Sequence, residues 1–139
     1  PVRGLITAGY GYRVSPFTGQ REMHEGLDIA APHRTPIAAT ADGVVSFAGP
    51  LAAFGNVVFI NHGHGFTTFY AHTSSIRVKE GKSVKRGDVI AHVGTSGRTT
   101  GPHVHYEVQL NGTTVNPMKY IVDPSGVNYA SEGESGGQS

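Results

Sequence analysis

The 139-residue chain is the length of one ordinary domain, with 11 Lys and Arg against 10 Asp and Glu and a formal charge of +1. No basic stripe suggests nucleic acid, no acidic tract suggests a solvating tail, and no apolar run approaches the roughly 18 residues of a membrane span. Cysteine is absent, so disulfides and thiolate metal sites are excluded; with eight histidines present, any zinc site must be built from His and carboxylates.

Twenty glycines and eight prolines are spread along the chain between short apolar runs. That pattern predicts an all-β fold, a small antiparallel β-sandwich or partly open barrel with long Gly-rich loops and little helix. Residues 1–23 read as irregular, broken by Gly4, Gly9, Gly11, Pro16 and Gly19, with a turn at Pro16-Phe17-Thr18-Gly19. From Ile37 to Ala48 the chain alternates, and Asp42-Gly43 marks a hairpin. Asn56 to Asn61 and Thr67 to His72 read as antiparallel partners joined by a turn at Gly63 and Gly65. His103 to Leu110 has period two and closes at Asn111-Gly112. Beyond about Asp123 the composition shifts to Ser, Gly, Glu and Gln. The division is therefore a folded domain over 1–122 and a flexible tail over 123–139. Pro1 is not a natural start, so the chain reads as a mature domain or a fragment of a longer protein.

Three segments carry chemistry. His103 and His105 are two apart, so on a strand both imidazoles leave one face while Val104 and Tyr106 leave the other. In Met23-His24-Glu25-Gly26-Leu27-Asp28 an extended backbone puts His24, Gly26 and Asp28 on one face, with Gly26 leaving room for an ion. Tyr70-Ala71-His72 ends an apolar strand, where His72 by itself is an ordinary strand-end histidine. His33, His62, His64 and His92 read as turn or surface residues, His62 and His64 because Gly63 and Gly65 place them in a turn.

His24-x-x-x-Asp28, Tyr70-Ala71-His72 and Gly101-Pro102-His103-Val104-His105-Tyr106-Glu107 resemble, in order, the three signature motifs of lysostaphin-type (LytM-like) zinc endopeptidases. Framework segments agree, among them Gly11-Tyr12-Arg13, Asp42-Gly43-Val44-Val45 and Gly55-Asn56-Val57-Val58, so the resemblance runs from about Gly9 to Pro117. It implies a zinc-dependent endopeptidase cutting peptide bonds in bacterial peptidoglycan, with His24, Asp28 and His105 as metal ligands. His72 and His103 would be the two catalytic histidines that do not bind the metal, and Arg13 would contact substrate or brace the site. An exported location, in the periplasm or cell envelope, follows from that substrate. The chain departs from the family pattern at Arg34-Thr35-Pro36, at Tyr-Ala-His-Thr in place of Tyr-Ala-His-Leu, and at Asn116-Pro117.

Two rival readings remain. A biotinyl or lipoyl carrier module shares the quasi-repeat of Thr40–Gly49 and Lys85–Gly94, yet no Lys sits at a Met-flanked hairpin tip. A catalytically inactive relative would bind and activate other wall hydrolases, but such a relative lacks zinc residues that this chain keeps.

Overall fold

The computed structural model describes residues 1–14 and 18–120, the side chain of Arg13 excepted. Its regular structure is nearly all antiparallel β, as the glycine and proline spacing predicts. A ten-stranded sheet has the main path β1 (Leu5–Ala8), β4 (Leu27–Ala30), β11 (His103–Leu110), β8 (Phe66–Ile76), β7 (Asn56–Gly63), β6 (Gly43–Pro50) and β9 (Ser83–Val84). Off this path, β10 (Val89–Val93) pairs with β5 (Pro36–Ala38) and β8, and β12 (Thr113–Val115) pairs with β11. A separate hairpin joins β2 (Gly11–Val14) to β3 (Arg21–His24). Helical structure among the described residues is limited to two single turns, Ala52–Phe54 and Pro117–Lys119, and no helix is long and apolar enough to cross a membrane.

Alternation along the central strands builds the core. Leu27 and Ile29 on β4, Tyr70 on β8, and Val104, Tyr106 and Val108 on β11 share one face. They meet Ile37, Val45, Val58, Ile60, Ile90 and Val93 in one buried cluster. Each such side chain contributes about 1.5–3 kcal/mol when taken out of water. The phenol hydroxyls of Tyr70 and Tyr106 would be costly in this core unless hydrogen-bonded. Thr40 Oγ1 meets both, at 3.1 and 2.9 Å, and Thr68 Oγ1 lies 2.8 Å from Tyr70. The opposite face of the sheet carries a smaller cluster of Val57, Phe69 and Ala71, flanked by Phe47 and Phe59. His105 lies in register with Ala71, on the side of the strand away from Val104 and Tyr106.

Several local expectations change. The segment read as irregular contains β1, β2 and β3, four-residue strands too short and too exposed to show a period. Asp42-Gly43 does not close a hairpin: β5 pairs with β10, while β6 pairs with β7 and β9. Gly43 already belongs to β6, and the apolar run before it finds its partner about fifty residues away. His62 belongs to β7 and not to a turn, its ring bridging the Asp42 carbonyl (2.7 Å) and Thr68 Oγ1 (2.7 Å). Asn111-Gly112 does form the β11–β12 hairpin turn, with φ of 53° and 83° at the two positions. The boundary at 122 and the tail over 123–139 lie outside the described residues, as do Pro16 and Phe17 of the expected turn.

Candidate metal centre and active site

Register brings the first two motif residues to the third. Asp28 on β4 pairs with His105 on β11, which pairs on its other side with Ala71 of β8. Directly opposed residues on antiparallel strands have neighbouring side chains, and Asp28 Oδ1 lies 2.9 Å from His105 Nδ1. His24 arrives differently, at the end of β3, after which the chain bends through Glu25-Gly26 before β4 begins. Its Nε2 is 3.2 Å from Asp28 Oδ2. His24 and Asp28 thus converge from two different strands and not from one extended face.

Gly26 also has a different task from the one its position suggests. A Cβ there would strike the Tyr106 carbonyl oxygen, with Glu107 Cγ at 2.9 Å and His105 Cε1 at 3.0 Å. The missing side chain makes room for β11 and the His105 ring.

The ring nitrogens are sorted by their partners. A carbonyl can only accept, so His24 Nδ1 donates to Gly9 O (2.7 Å) and its Nε2 keeps a lone pair for the site. His105 Nε2 lies 2.9 Å from Glu107 Oε2, leaving Nδ1 toward Asp28. Glu107, itself buried, also accepts from Gln109 Nε2 at 3.2 Å. This carboxylate–imidazole pairing orients histidines that bind metal. Ligand atoms about 2.1 Å from one tetrahedral zinc lie about 3.4 Å apart. One donor atom from each of His24, Asp28 and His105 falls within 4.8 Å of the others, so the set fits a metal ion in spacing, lone-pair direction and donor chemistry.

The electrostatics agree with a site made for positive charge. Burial works against charge on both Asp28 and His105. Even so, the hydrogen bonds from His105 and His24 hold the Asp28 carboxyl well below the usual carboxylate range. Hydrogen bonds to Asp28 and Glu107 likewise outweigh burial at His105 and push it up to about 9. Two carboxylates around one imidazole therefore favour a cation there, whether proton or metal.

His72 and His103 stand beside this cluster with ring centroids 4.9 Å apart. His72 Nδ1 donates to Ser96 O (2.8 Å), and His103 Nδ1 lies 2.9 Å from Gly101 O and 3.0 Å from Thr99 Oγ1. Both rings therefore turn Nε2 away from these partners and toward the cluster, that of His103 3.9 Å from Asp28 Oδ1. Burial, with the neighbouring His103 and His105, pushes the His72 pKa down. Phe54 lies over the same cluster, its ring centroid 5.7 Å from that of His105 and 6.3 Å from that of His72.

All five histidine and aspartate candidates thus come together. Arg13 lies on β2 opposite Glu22, in the hairpin that delivers His24, and its side chain is outside the described residues. Sequence reasoning passed over Glu107, Ser96 and Phe54. Glu107 was within reach, being two residues from His105 on the same strand face.

The sequence pattern of Peptidase family M23 matches residues 22–117, which span His24, Asp28, His72, His103 and His105 but not Arg13. The chain belongs to peptidase family M23. Among relatives, it is 47% identical over 113 residues to the DD-carboxypeptidase/endopeptidase Mpg of Neisseria meningitidis serogroup B, covering 81% of this chain and 26% of that protein. It is 45% identical over 105 residues to the peptidoglycan DD-endopeptidase ShyC of Vibrio cholerae, covering 76% of this chain and 24% of that protein. This M23 chain therefore spans about a quarter of the length of those relatives. A crystal structure of a zinc containing peptidase from Vibrio cholerae superposes with a TM-score of 0.79 at 39% identity, over 86% of this chain and 37% of that one. The resemblance in the motifs is thus a family membership, and the all-β M23 fold accompanies it.

Proposed function

We propose that this M23 domain is a zinc-dependent endopeptidase that hydrolyses D,D-cross-links of bacterial peptidoglycan. His24, Asp28 and His105 hold the metal. The observation that carries the reading is the convergence of those three donors, with the spare nitrogen of each imidazole tied off by Gly9 O or Glu107. When bound, zinc would act as a Lewis acid that polarises the scissile carbonyl and acidifies the attacking water.

The chain's own residues supply the proton traffic. His72 carries a bare Nε2 and a lowered pKa, which suits it to take the proton from the attacking water. His103, its Nδ1 held by Gly101 O and its Nε2 3.9 Å from the Asp28 carboxylate, is aimed at the same place and serves the leaving amine or the oxyanion. Phe54 packs beside His72 and the ligand His105.

The substrate class rests on the motifs and on relatives whose names specify DD-endopeptidase activity. Arg13 would suit a carboxylate-bearing diaminopimelate peptide, whereas a glycine bridge offers no charge to pair. Such a substrate places the domain outside the cytoplasmic membrane, as an exported protein of the periplasm or cell envelope. Residues 1–122 form the catalytic unit in this reading, with 123–139 dispensable.

Digestion of defined muropeptide dimers, read by mass spectrometry, tests the proposal. Cleavage of diaminopimelate-type cross-links, lost with a chelator and restored by zinc, is expected. Cleavage of glycine bridges alone would overturn the substrate, and cleavage of neither by zinc-loaded protein would favour a regulator of other hydrolases.

A further inference from the structure

In a regular strand His72 would share the face of Tyr70, which is the core side. It does not, because β8 carries an extra residue there. Asn56 pairs with Thr73, but Val58 pairs with Tyr70, so Ala71 and His72 of β8 oppose the single Val57 of β7. His72 takes the left-handed region at φ 62°, sparsely used by residues other than glycine. Such a bulge redirects a side chain, and its strain persists only where neighbours hold it.

The neighbours are three segments joined in a ring. Ser96 Oγ donates to Thr73 O (2.6 Å), Thr73 Oγ1 donates to Asn56 O (3.1 Å), and Asn56 N–H donates to Ser96 Oγ (3.0 Å). Each hydroxyl gives its only proton inside the ring, and Thr73 is wholly buried. The Ser96 carbonyl then takes the His72 Nδ1 proton. The loop carrying Ser96 is held against the Ala52–Phe54 turn by Arg98 N–H to Ala53 O (2.7 Å). Gly55 and Gly97 meet so closely there that a Cβ on either would strike the other segment's backbone.

We infer that Thr73 and Ser96 are positioning residues which hold the β8 bulge and fix the His72 ring with Nδ1 protonated and Nε2 facing the reaction. The inference rests on the reading of His72 as a catalytic group, but its geometry is measurable without turnover.

The test uses the whole chain with Thr73→Val, Thr73→Ser and Ser96→Ala. Nitrogen-15 spectra should show one His72 tautomer, protonated at Nδ1, in the unaltered protein and in Thr73→Ser. Thr73→Val and Ser96→Ala should show mixed or exchanging tautomers. Their kcat should fall about tenfold to a hundredfold, as for a misplaced reacting group, with KM and zinc content unchanged and Thr73→Ser restoring the rate. An unchanged tautomer in both Thr73→Val and Ser96→Ala would overturn the inference, as would a loss of kcat that merely follows the unfolded fraction. If the unaltered chain cuts no substrate, the hydrolytic reading fails separately, and the tautomer measurement still decides this one.

Discussion

Asp28 and His105 face each other in register across β4 and β11, 77 residues apart in sequence, with Oδ1 2.9 Å from Nδ1. Neither depends on a loop for its place. Strand pairing sets their separation, and Glu107, two residues further along β11, sets the ring's orientation through Nε2. Removing any donor leaves a set too small for a tetrahedral site with an open position. His24→Ala, Asp28→Ala and His105→Ala should each lose most bound zinc by elemental analysis. Full occupancy in all three would refute the ligand set.

Glu107 offers a finer test, because it touches the ring and not the metal. Glu107→Gln keeps the volume but removes the charge that strengthens the His105 bond. Zinc affinity should fall about 10–100-fold, the usual cost of losing such a partner. Competition against a chelator of known affinity measures it, and an unchanged affinity would make Glu107 only a buried carboxylate.

His72 and His103 should separate cleanly from the ligands. Alanine at either should keep zinc and lower kcat by about a hundredfold or more, the usual contribution of a positioned acid or base. A folded variant that has lost its metal would mean that its role is exchanged with one of the three ligands.

The site was legible in the sequence to the extent that it depends on alternation and local spacing. His103 and His105 follow the period of β11, and the Asn111-Gly112 turn fixes where that strand ends. What stayed hidden depends on pairing between distant segments. The task of Gly26 is visible only once β11 lies against it, and the hairpin expected at Asp42-Gly43 failed because β5 finds β10 instead. His72 is the instructive case: its alternation with Tyr70 points it into the core, and only a bulge clasped by Ser96 turns it to the site.

The pH dependence follows from burial of His72. Its pKa is pushed below the ordinary histidine value of about 6.5, so the ring is neutral at pH 7 and able to accept a proton. Lowering the pH charges it, so kcat should fall as pH drops through a value under about 6.5. The measurement is a kcat profile at saturating zinc, with metal content checked at each pH so that loss of ligands is not mistaken for loss of the base. A limb centred above pH 7 would assign the base to another group.

Gly26→Ala asks whether the packing of β11 against the bend between β3 and β4 matters to the metal. The added Cβ meets the Tyr106 carbonyl oxygen, which is fixed in the sheet, and also Glu107 Cγ at 2.9 Å and His105 Cε1 at 3.0 Å. Backbone cannot yield cheaply, so the side chains or the bend must move, at about 1–3 kcal/mol for overpacking of this kind. Because the displaced groups are His105 and its partner, zinc affinity should fall along with stability. Gly112→Ala is the comparison. Its φ of 83° makes the change strained, but nothing lies within 4 Å of the new Cβ and the turn is remote from the donors. Thermal unfolding of the metal-free proteins should show both variants destabilised, while a chelator titration should show weakened zinc binding in Gly26→Ala alone. Equal zinc affinity in the two would show that the bend tolerates a side chain without disturbing His105.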